Sequence, residues 1–242
     1  DESATLLARL QKAAEAGHFE EIRTLVRKAK EDAADGSVNV APVLCMAVAI
    51  EEIQLLRLLL QEGANPSEAK ADGTTPLFLA AQMGHTDMVR MLLDAKAAVD
   101  KAKRNGATPL CVAAQQGHDS VVELLLEAKA NVEHRTATQG FPLWYAAQSG
   151  RYRTAEILLK QGGADVDTRY RNDATPLYIA AQNGHERTVR LLIEYKAEMD
   201  IITSDTGDTP LRIASQQVKC LSPCTVDAEF AWKSVLMVVM RW

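Results

Sequence analysis

Histidines are the residues of this chain whose type and spacing first suggest chemistry, because imidazole binds metal ions and transfers protons near neutral pH. His18, His85, His118 and His185 each directly follow a glycine in recurring segments of similar sequence. If those segments stack as packed helices, equivalent histidines are about 10 Å apart, too far to share one metal ion. We therefore predict structural histidines and no metal site. His134 falls in a loop and is predicted to be solvated.

The four cysteines offer a second kind of chemistry, as nucleophiles, metal ligands or disulfide partners. Cys45 and Cys111 hold equivalent positions two segments apart, so stacking separates them by roughly 20 Å, beyond the ~7 Å that a disulfide spans. We predict that both are core or groove thiols. Cys220 and Cys224, in the run CLSPC, could pair or bind a metal ion, but no second pair at zinc-site spacing accompanies them. Unpaired thiols are the favoured interpretation there.

Motifs of enzyme active sites are absent from the sequence. The chain has no phosphate-binding glycine loop, no HExxH zinc motif, no GxSxG nucleophile motif and no dinucleotide fingerprint. Its carboxylates are typical of solvated helix faces, and no pair of them stands out as a catalytic acid and base. We therefore predict a protein that is not an enzyme and has no cofactor.

An internal repeat organises the chain. One block recurs as TPLFLAAQMGH at 75–85, TPLCVAAQQGH at 108–118, FPLWYAAQSGR at 141–151 and TPLYIAAQNGH at 175–185, and in part as TPLRIASQQ at 209–217. Weaker copies lie at 12–26 and 43–65. The period of 33 or 34 residues and the TPL and AA-x-x-GH blocks closely resemble the ankyrin repeat family.

The resemblance implies an all-α fold, an ankyrin-type solenoid of stacked helix-turn-helix repeats with β-hairpin-like loops. A single array of about seven repeats then covers residues 1–242. The expected repeats are 3–36, 37–69, 70–102, 103–135, 136–169, 170–203 and 204–242, of which the first, second and last are degenerate.

The residue types within one repeat predict where its helices begin and end. Threonine before proline provides an N-cap and a residue suited to the first helical turn; the predicted caps are Thr75, Thr108, Thr175 and Thr209. Glycine ends the first helix at positions 84, 117, 150 and 184. In the second helix, apolar residues at i, i+3 and i+4 form a stripe that needs a neighbouring repeat to bury it.

Some positions depart from the family pattern. Lys96, Lys129 and Lys196 stand where the family usually has glycine, so we expect strained left-handed backbone there. The fifth repeat has Phe141 in place of the capping threonine, Gln139 in place of the turn glycine, and an extra glycine at 162–163. It is predicted to be the most irregular repeat.

The resemblance also implies that a partner docks in a concave groove made by the first helices and the loop tips. Two columns of residues are predicted to line it: Phe78, Cys111, Trp144, Tyr178 and Arg212; and Gln82, Gln115, Gln148, Gln182 and Gln216. Trp144 and Tyr178 form a candidate hot spot, because aromatic side chains supply large rigid contact area. The alternatives are that the aromatic residues pack between repeats and that the glutamines reflect recent duplication.

Basic residues occupy successive loop tips of a chain whose net charge is -5. They are Lys101, Lys103, Arg104, His134, Arg135, Arg169 and Arg171. This basic ridge would favour an acidic segment of a partner protein or peptide and would weaken with salt. The alternative is a set of solvated loop charges.

The acidic balance argues against nucleic acid as a partner, and no apolar run is long enough to span a bilayer. The C-terminal tail at 227–242 carries Phe230, Trp232, Leu236 and Trp242. The tail is predicted to cap the array, or else to dock on a membrane protein complex. The predicted function is a protein-binding scaffold in an intracellular compartment, cytoplasmic rather than organellar. The alternative is a structural subunit of a larger, organellar membrane complex, docked through this tail.

Overall fold

The computed structural model describes residues 2–32 and 40–220. Within these residues the chain forms thirteen α-helices, one short 3-10 helix and no strand, which confirms the predicted all-α class. The described residues fall into two units. Unit 1 runs to Pro109 and includes Glu127–Ala130, and unit 2 comprises Leu110–Leu126 and the residues from Asn131 onward.

Unit 1 contains three helix pairs. Its helices are α1 Glu2–Glu15, α2 Phe19–Asp32, α3 Ala41–Ala49, α4 Ile53–Gln61, α5 Pro76–Met83 and α6 Thr86–Asp94. Within unit 1, α1, α3 and α5 each pack on the even-numbered helix that follows, α1 also packs on α3, and α3 packs on α5. We call the odd-numbered helices the first helices of the repeats and the even-numbered helices the second helices.

Unit 2 continues the same order of elements. Its helices are α7 Pro109–Gln116, α8 Asp119–Glu127, α9 Pro142–Gln148, α10 Tyr152–Lys160, α11 Pro176–Gln182, α12 Glu186–Glu194 and α13 Pro210–Cys220, with a 3-10 helix at Arg171–Asp173. The first residue of α7 and the last residue of α8 belong to unit 1. Helix α11 packs on α9, α12 and α13, and α10 packs on α9 and α12. The single continuous array with the boundaries given above stays a prediction.

Threonine caps begin three of the first helices as predicted. The hydroxyl of Thr75 accepts a hydrogen bond from the backbone N–H of Phe78 at 3.1 Å, and Thr175 and Thr209 do the same in α11 and α13 at 3.2 Å. The fifth repeat lacks this bond, because Phe141 has no hydroxyl and makes no side-chain cap. The predicted loss of the threonine cap is therefore confirmed, and the fifth repeat as the most irregular one stays a prediction.

Left-handed backbone occurs at the predicted lysines. Lys96, Lys129 and Lys196 have φ angles of 67°, 66° and 67°, and Gln139 has 70°. These side chains carry a Cβ that crowds the following carbonyl in this conformation. Asn172 and Asp173, at 58° and 60°, are also left-handed, and the sequence did not predict them.

The loop tips close by hairpin-type hydrogen bonds. The backbone N–H of Lys103 donates to Ala107 at 2.9 Å, and that of Tyr170 donates to Ala174 at 2.8 Å. No strand ladder extends from these turns in the described part of the chain. The tips are therefore short turns that present side chains next to the N-termini of the first helices.

The apolar stripe of each second helix is buried, except at its outer edge. Val89 and Leu92 in α6 have no exposed surface, and Val122 and Leu125 in α8 have none either. Leu93, like its counterparts Leu126 and Ile193, is half-buried. Within each unit, the first helices thus pack against second helices whose apolar residues are buried.

Candidate protein-binding surface

Of the five residues predicted for the middle column of the groove, four are buried and one is exposed. Phe78 in unit 1 is 5% exposed, and Cys111, Trp144 and Tyr178 in unit 2 are 1%, 4% and 8% exposed. Arg212 is exposed and pairs with Asp208 at 2.8 Å. Burial of Trp144 and Tyr178 favours the packing interpretation, because a binding hot spot needs surface that a partner can reach.

Trp144 belongs to a group of rings in unit 2 that we call the aromatic stack: Phe141, Trp144 and Tyr170. The rings of Trp144 and Tyr170 stack with centroids 4.1 Å apart and planes 16° apart. Phe141 meets Trp144 at 6.3 Å in a tilted arrangement. The guanidinium of Arg135 lies 5.3 Å from the centre of the Phe141 ring. The stack therefore joins the tip around residue 170 to the first helix α9.

Tyr170 was not predicted from the sequence. It lies between Arg169 and Arg171, and it is half-buried whereas both arginines are exposed. In an extended segment, alternate side chains point to opposite sides. The run RYR was therefore the available sign that one aromatic side chain would turn inward while the two arginines face solvent.

The glutamines of the second predicted column are exposed. Gln82 lies in unit 1, and we call Gln115, Gln148 and Gln182 of unit 2 the glutamine column. Contacts from the next repeat hold the backbone of two of them: Arg151 Nε donates to the carbonyl of Gln115 at 3.4 Å, and Asn183 Nδ2 donates to that of Gln148 at 2.9 Å. The side chain of Gln216 lies outside the described residues.

The basic tip of unit 1 is partly neutralised. Lys103 Nζ pairs with Asp72 at 3.2 Å and lies 5.7 Å from the centre of the Phe78 ring. Hydrogen bonds from Thr74, reinforced by Lys103, hold the pKa of the Asp72 carboxyl well below its usual value. Lys101 and Arg104 are exposed, and neither forms an ion pair with another described residue.

The basic tips of unit 2 hold three exposed arginines. Arg135 Nη1 donates to the backbone carbonyl of Arg169 at 2.8 Å and to that of Gln139 at 3.3 Å. Arg169 pairs with Asp173 at 3.3 Å. Arg171 forms no ion pair within the described ranges. We call Arg135, Arg169 and Arg171 the arginine tips; His134, next to Arg135, is half-buried.

Carboxylates near the arginine tips are engaged in bonds between repeats. Glu133 accepts hydrogen bonds from the N–H of Asp165 at 3.0 Å and from the hydroxyl of Thr168 at 3.1 Å. Asp167 accepts from the N–H of Glu198 at 2.9 Å, and burial raises the pKa of Asp167. These acids therefore serve the contact between repeats, whereas the guanidinium groups face solvent.

Comparison with known sequence families agrees with the repeat. The model described as ankyrin repeats (3 copies) matches residues 44–136, 100–170 and 143–223, which together cover most of the chain. The chain belongs to the ankyrin repeat family. A search of curated proteins found no match.

Ankyrin repeats generally mediate protein–protein interaction, and ankyrin repeat proteins are typically non-catalytic. In the described ranges, no helix is both long and apolar enough to cross a bilayer. Membership of the family thus indicates a protein-binding role in general, and the chemistry of the partner has to be inferred from the exposed residues of this chain.

The repeated histidines of this ankyrin chain share one backbone position, directly before each second helix. Each supplies a backbone carbonyl to the first turn of a second helix; for example, Val89 N–H donates to His85 at 2.9 Å and Val189 N–H to His185 at 3.0 Å. His185 Nε2 also lies 3.0 Å from the carbonyl of Gln148 in the preceding repeat. Among the described residues, no three His, Cys, Asp or Glu side chains are grouped to hold a metal ion.

Burial limits the reactivity of the cysteine thiols whose side chains the structure describes. Cys45 is 3% exposed, and burial raises the pKa of its thiol to about 11. Cys224 and the predicted tail residues Phe230, Trp232, Leu236 and Trp242 lie outside the described residues. Both interpretations of the tail, as a cap and as a docking element, therefore stay predictions.

Proposed function

We propose that this ankyrin chain is a non-catalytic scaffold that binds an acidic segment of a partner protein on the exposed side of the first helices of unit 2 and at its arginine tips. The observation that supports this most is the exposed position of Arg171, which has no ion pair in the described part of the chain and lies next to Arg169. An acidic partner would supply the missing counter-charges.

The arginine tips are attached to a rigid support. Tyr170, between two of the arginines, stacks on buried Trp144, and its N–H closes the turn to Ala174. Side chains on a fixed backbone lose less entropy on binding than side chains on a loose loop. In this proposal Trp144 acts as a support for the contact residues and does not itself touch the partner.

The arrangement of charge favours an acidic partner despite the acidic composition of the chain. Glu133 and Asp167 each accept a hydrogen bond from an N–H group of the following repeat, which ties these carboxylates to the contact between repeats. Arg171 has no ion pair among the described residues and Arg135 donates to neutral carbonyls, so their charges are not offset by a described carboxylate, whereas Asp173 partly offsets the charge of Arg169. An incoming carboxylate can therefore pair with Arg135 and Arg171 without displacing a carboxylate of the scaffold.

A display library of random 16-residue peptides, selected on the full chain, tests the proposal. Selected peptides should be enriched in Asp and Glu. Reversal of two tip charges, Arg169→Glu with Arg171→Glu, should weaken their binding about ten-fold or more, because each exposed pair contributes up to about 1 kcal/mol and reversal adds repulsion.

Arg153→Glu with Lys160→Glu is the matched control, because Arg153 and Lys160 are exposed cations of unit 2 on the second helix α10 and their reversal changes the net charge equally. It should change affinity by less than about two-fold, apart from the small effect of net charge. Selected peptides without acidic enrichment, or with equal sensitivity to both sets of reversals, would contradict the proposed surface.

A further inference from the structure

Arg135 is exposed, yet its guanidinium group is held by contacts within unit 2. Its Nη1 donates hydrogen bonds to the backbone carbonyls of Arg169 at 2.8 Å and Gln139 at 3.3 Å. The group also lies 5.3 Å from the centre of the buried Phe141 ring. Because an arginine side chain loses entropy when a partner immobilises it, a side chain that the fold already holds loses less on binding.

The contacts of Arg135 leave one edge of its guanidinium group unused. The group is planar and has five N–H donors. Both bonds to carbonyls come from Nη1, and no described residue accepts a hydrogen bond from Nε or Nη2. One N–H of Nε and one of Nη2 point in parallel, at the spacing of the two oxygens of a carboxylate. This Nε–Nη2 edge has the geometry to bind one carboxylate.

Arg27 in unit 1 shows what the same edge binds in this chain. Its Nε donates to Glu62 Oε2 at 2.7 Å, and its Nη2 donates to Glu62 Oε1 at 3.0 Å. These hydrogen bonds hold the pKa of the Glu62 carboxyl below its usual value. The fold thus supplies a carboxylate to the Nε–Nη2 edge of Arg27, whereas no described carboxylate meets that edge of Arg135.

The other two arginine tips lack this arrangement. Arg169 already pairs with Asp173 at 3.3 Å. Arg171 is exposed, and its side chain makes no hydrogen bond or ion pair with a described residue. A side chain that no contact orients acts mainly as a positive charge, a role that lysine fills equally well. Arg135 differs from both in having a fixed guanidinium group with an unused edge.

We propose that Arg135 is the specificity-determining residue of the proposed surface and that its Nε–Nη2 edge binds one carboxylate of the acidic segment through two parallel hydrogen bonds. This inference rests on the proposed function and assigns unequal roles to the arginine tips. Arg169 and Arg171 attract the segment by charge, whereas Arg135 requires an Asp or Glu at one defined position of the segment.

Charge-conserving substitutions test these roles, because lysine keeps the positive charge of arginine but lacks its two parallel donors. Arg135→Lys should weaken binding of a selected 16-residue acidic peptide about five- to twenty-fold. Arg171→Lys, the matched control at a tip of the same unit, should change the affinity by less than about two-fold. Equal losses in the two variants would overturn the inference, since Arg135 would then have no role that Arg171 lacks.

A double-mutant cycle separates a direct contact from a displaced loop tip, because Arg135→Lys also alters the bonds to the two carbonyls. Each acidic residue of the peptide is replaced in turn by its amide, and binding to the native and Arg135→Lys chains is measured. One replacement should cost about ten-fold or more in the native chain and at most about three-fold in the Arg135→Lys chain. Costs at the other acidic positions should be the same in both chains. A cost that falls alike at every position would indicate a displaced tip and would overturn the inference.

The two proposals fail in different ways. If Arg169→Glu with Arg171→Glu weakens binding but Arg135→Lys behaves like Arg171→Lys, the acidic partner stands and the carboxylate site at Arg135 is wrong. If the selected peptides lack acidic enrichment or do not respond to the arginine reversals, the proposed function fails, and the site that rests on it fails as well.

Discussion

Replacing Thr188 with valine should stabilise the chain, although it removes a polar group. Thr188 lies in α12 with no exposed surface, and its hydroxyl makes no hydrogen bond within the described residues. A buried hydroxyl without a partner costs about 1–3 kcal/mol, and valine fills the same space with a methyl group. We expect a gain of about 1 kcal/mol, which corresponds to a rise in Tm of about 2–4 °C for a chain of this size. Thermal unfolding followed by circular dichroism measures it.

Thr154 provides the matched control, one repeat earlier at the equivalent position of α10. Its hydroxyl donates to Asp119 Oδ1 at 2.5 Å, so Thr154→Val should lower Tm by at least a similar amount. Thr188 lacks such a bond because the preceding repeat has Tyr152, and not an aspartate, at the position equivalent to Asp119. The guanidinium of Arg187 lies over the Tyr152 ring. The reasoning is refuted if Thr188→Val lowers Tm in the same way as Thr154→Val.

Three further predictions follow from local contacts. Gln139→Gly should raise Tm by roughly 1–3 °C in the same melt, because it relieves left-handed backbone at a φ of 70°; an unchanged or lower Tm counts against that strain. Hydrogen bonds from Thr74, together with Lys103, lower the pKa of Asp72 in the folded chain. The contribution of ionised Asp72 to the free energy of unfolding is therefore present above about pH 4 and is lost as the pH falls below it. In urea titrations at several pH values, Asp72→Asn should make the free energy of unfolding less dependent on pH in that range. Cys45, with a pKa of about 11, should resist iodoacetamide at neutral pH until the chain is denatured, as peptide mapping by mass spectrometry would show.

Backbone features were predictable from the sequence because they depend on neighbouring residues. A threonine before a proline carries its own cap, and Thr75 and Thr175 cap their helices as predicted. Lys129 takes a left-handed conformation because the repeat geometry requires a turn there whatever the side chain. These features needed only the repeat period and the stereochemistry of one residue.

Side-chain partners across repeats were not predictable in the same way. The stacking of Trp144 on Tyr170 joins residues of neighbouring repeats, and nothing in either segment alone specifies that the rings meet. The pairing of Lys103 with Asp72 likewise depends on how two tips lie side by side. The sequence located the aromatic column and the basic ridge, but only the packed structure separates buried supports from exposed contact residues.

The footprint of an acidic peptide on the chain tests the central claim most directly. Side-chain Nε–Hε signals of arginine, observed by NMR in a ¹⁵N-labelled chain, would be followed during titration with a selected 16-residue peptide. The proposed surface predicts the largest changes at Arg135, Arg169 and Arg171, accompanied by changes in the side-chain amide signals of the glutamine column. Changes confined to arginines of the second helices, such as Arg153, would contradict it.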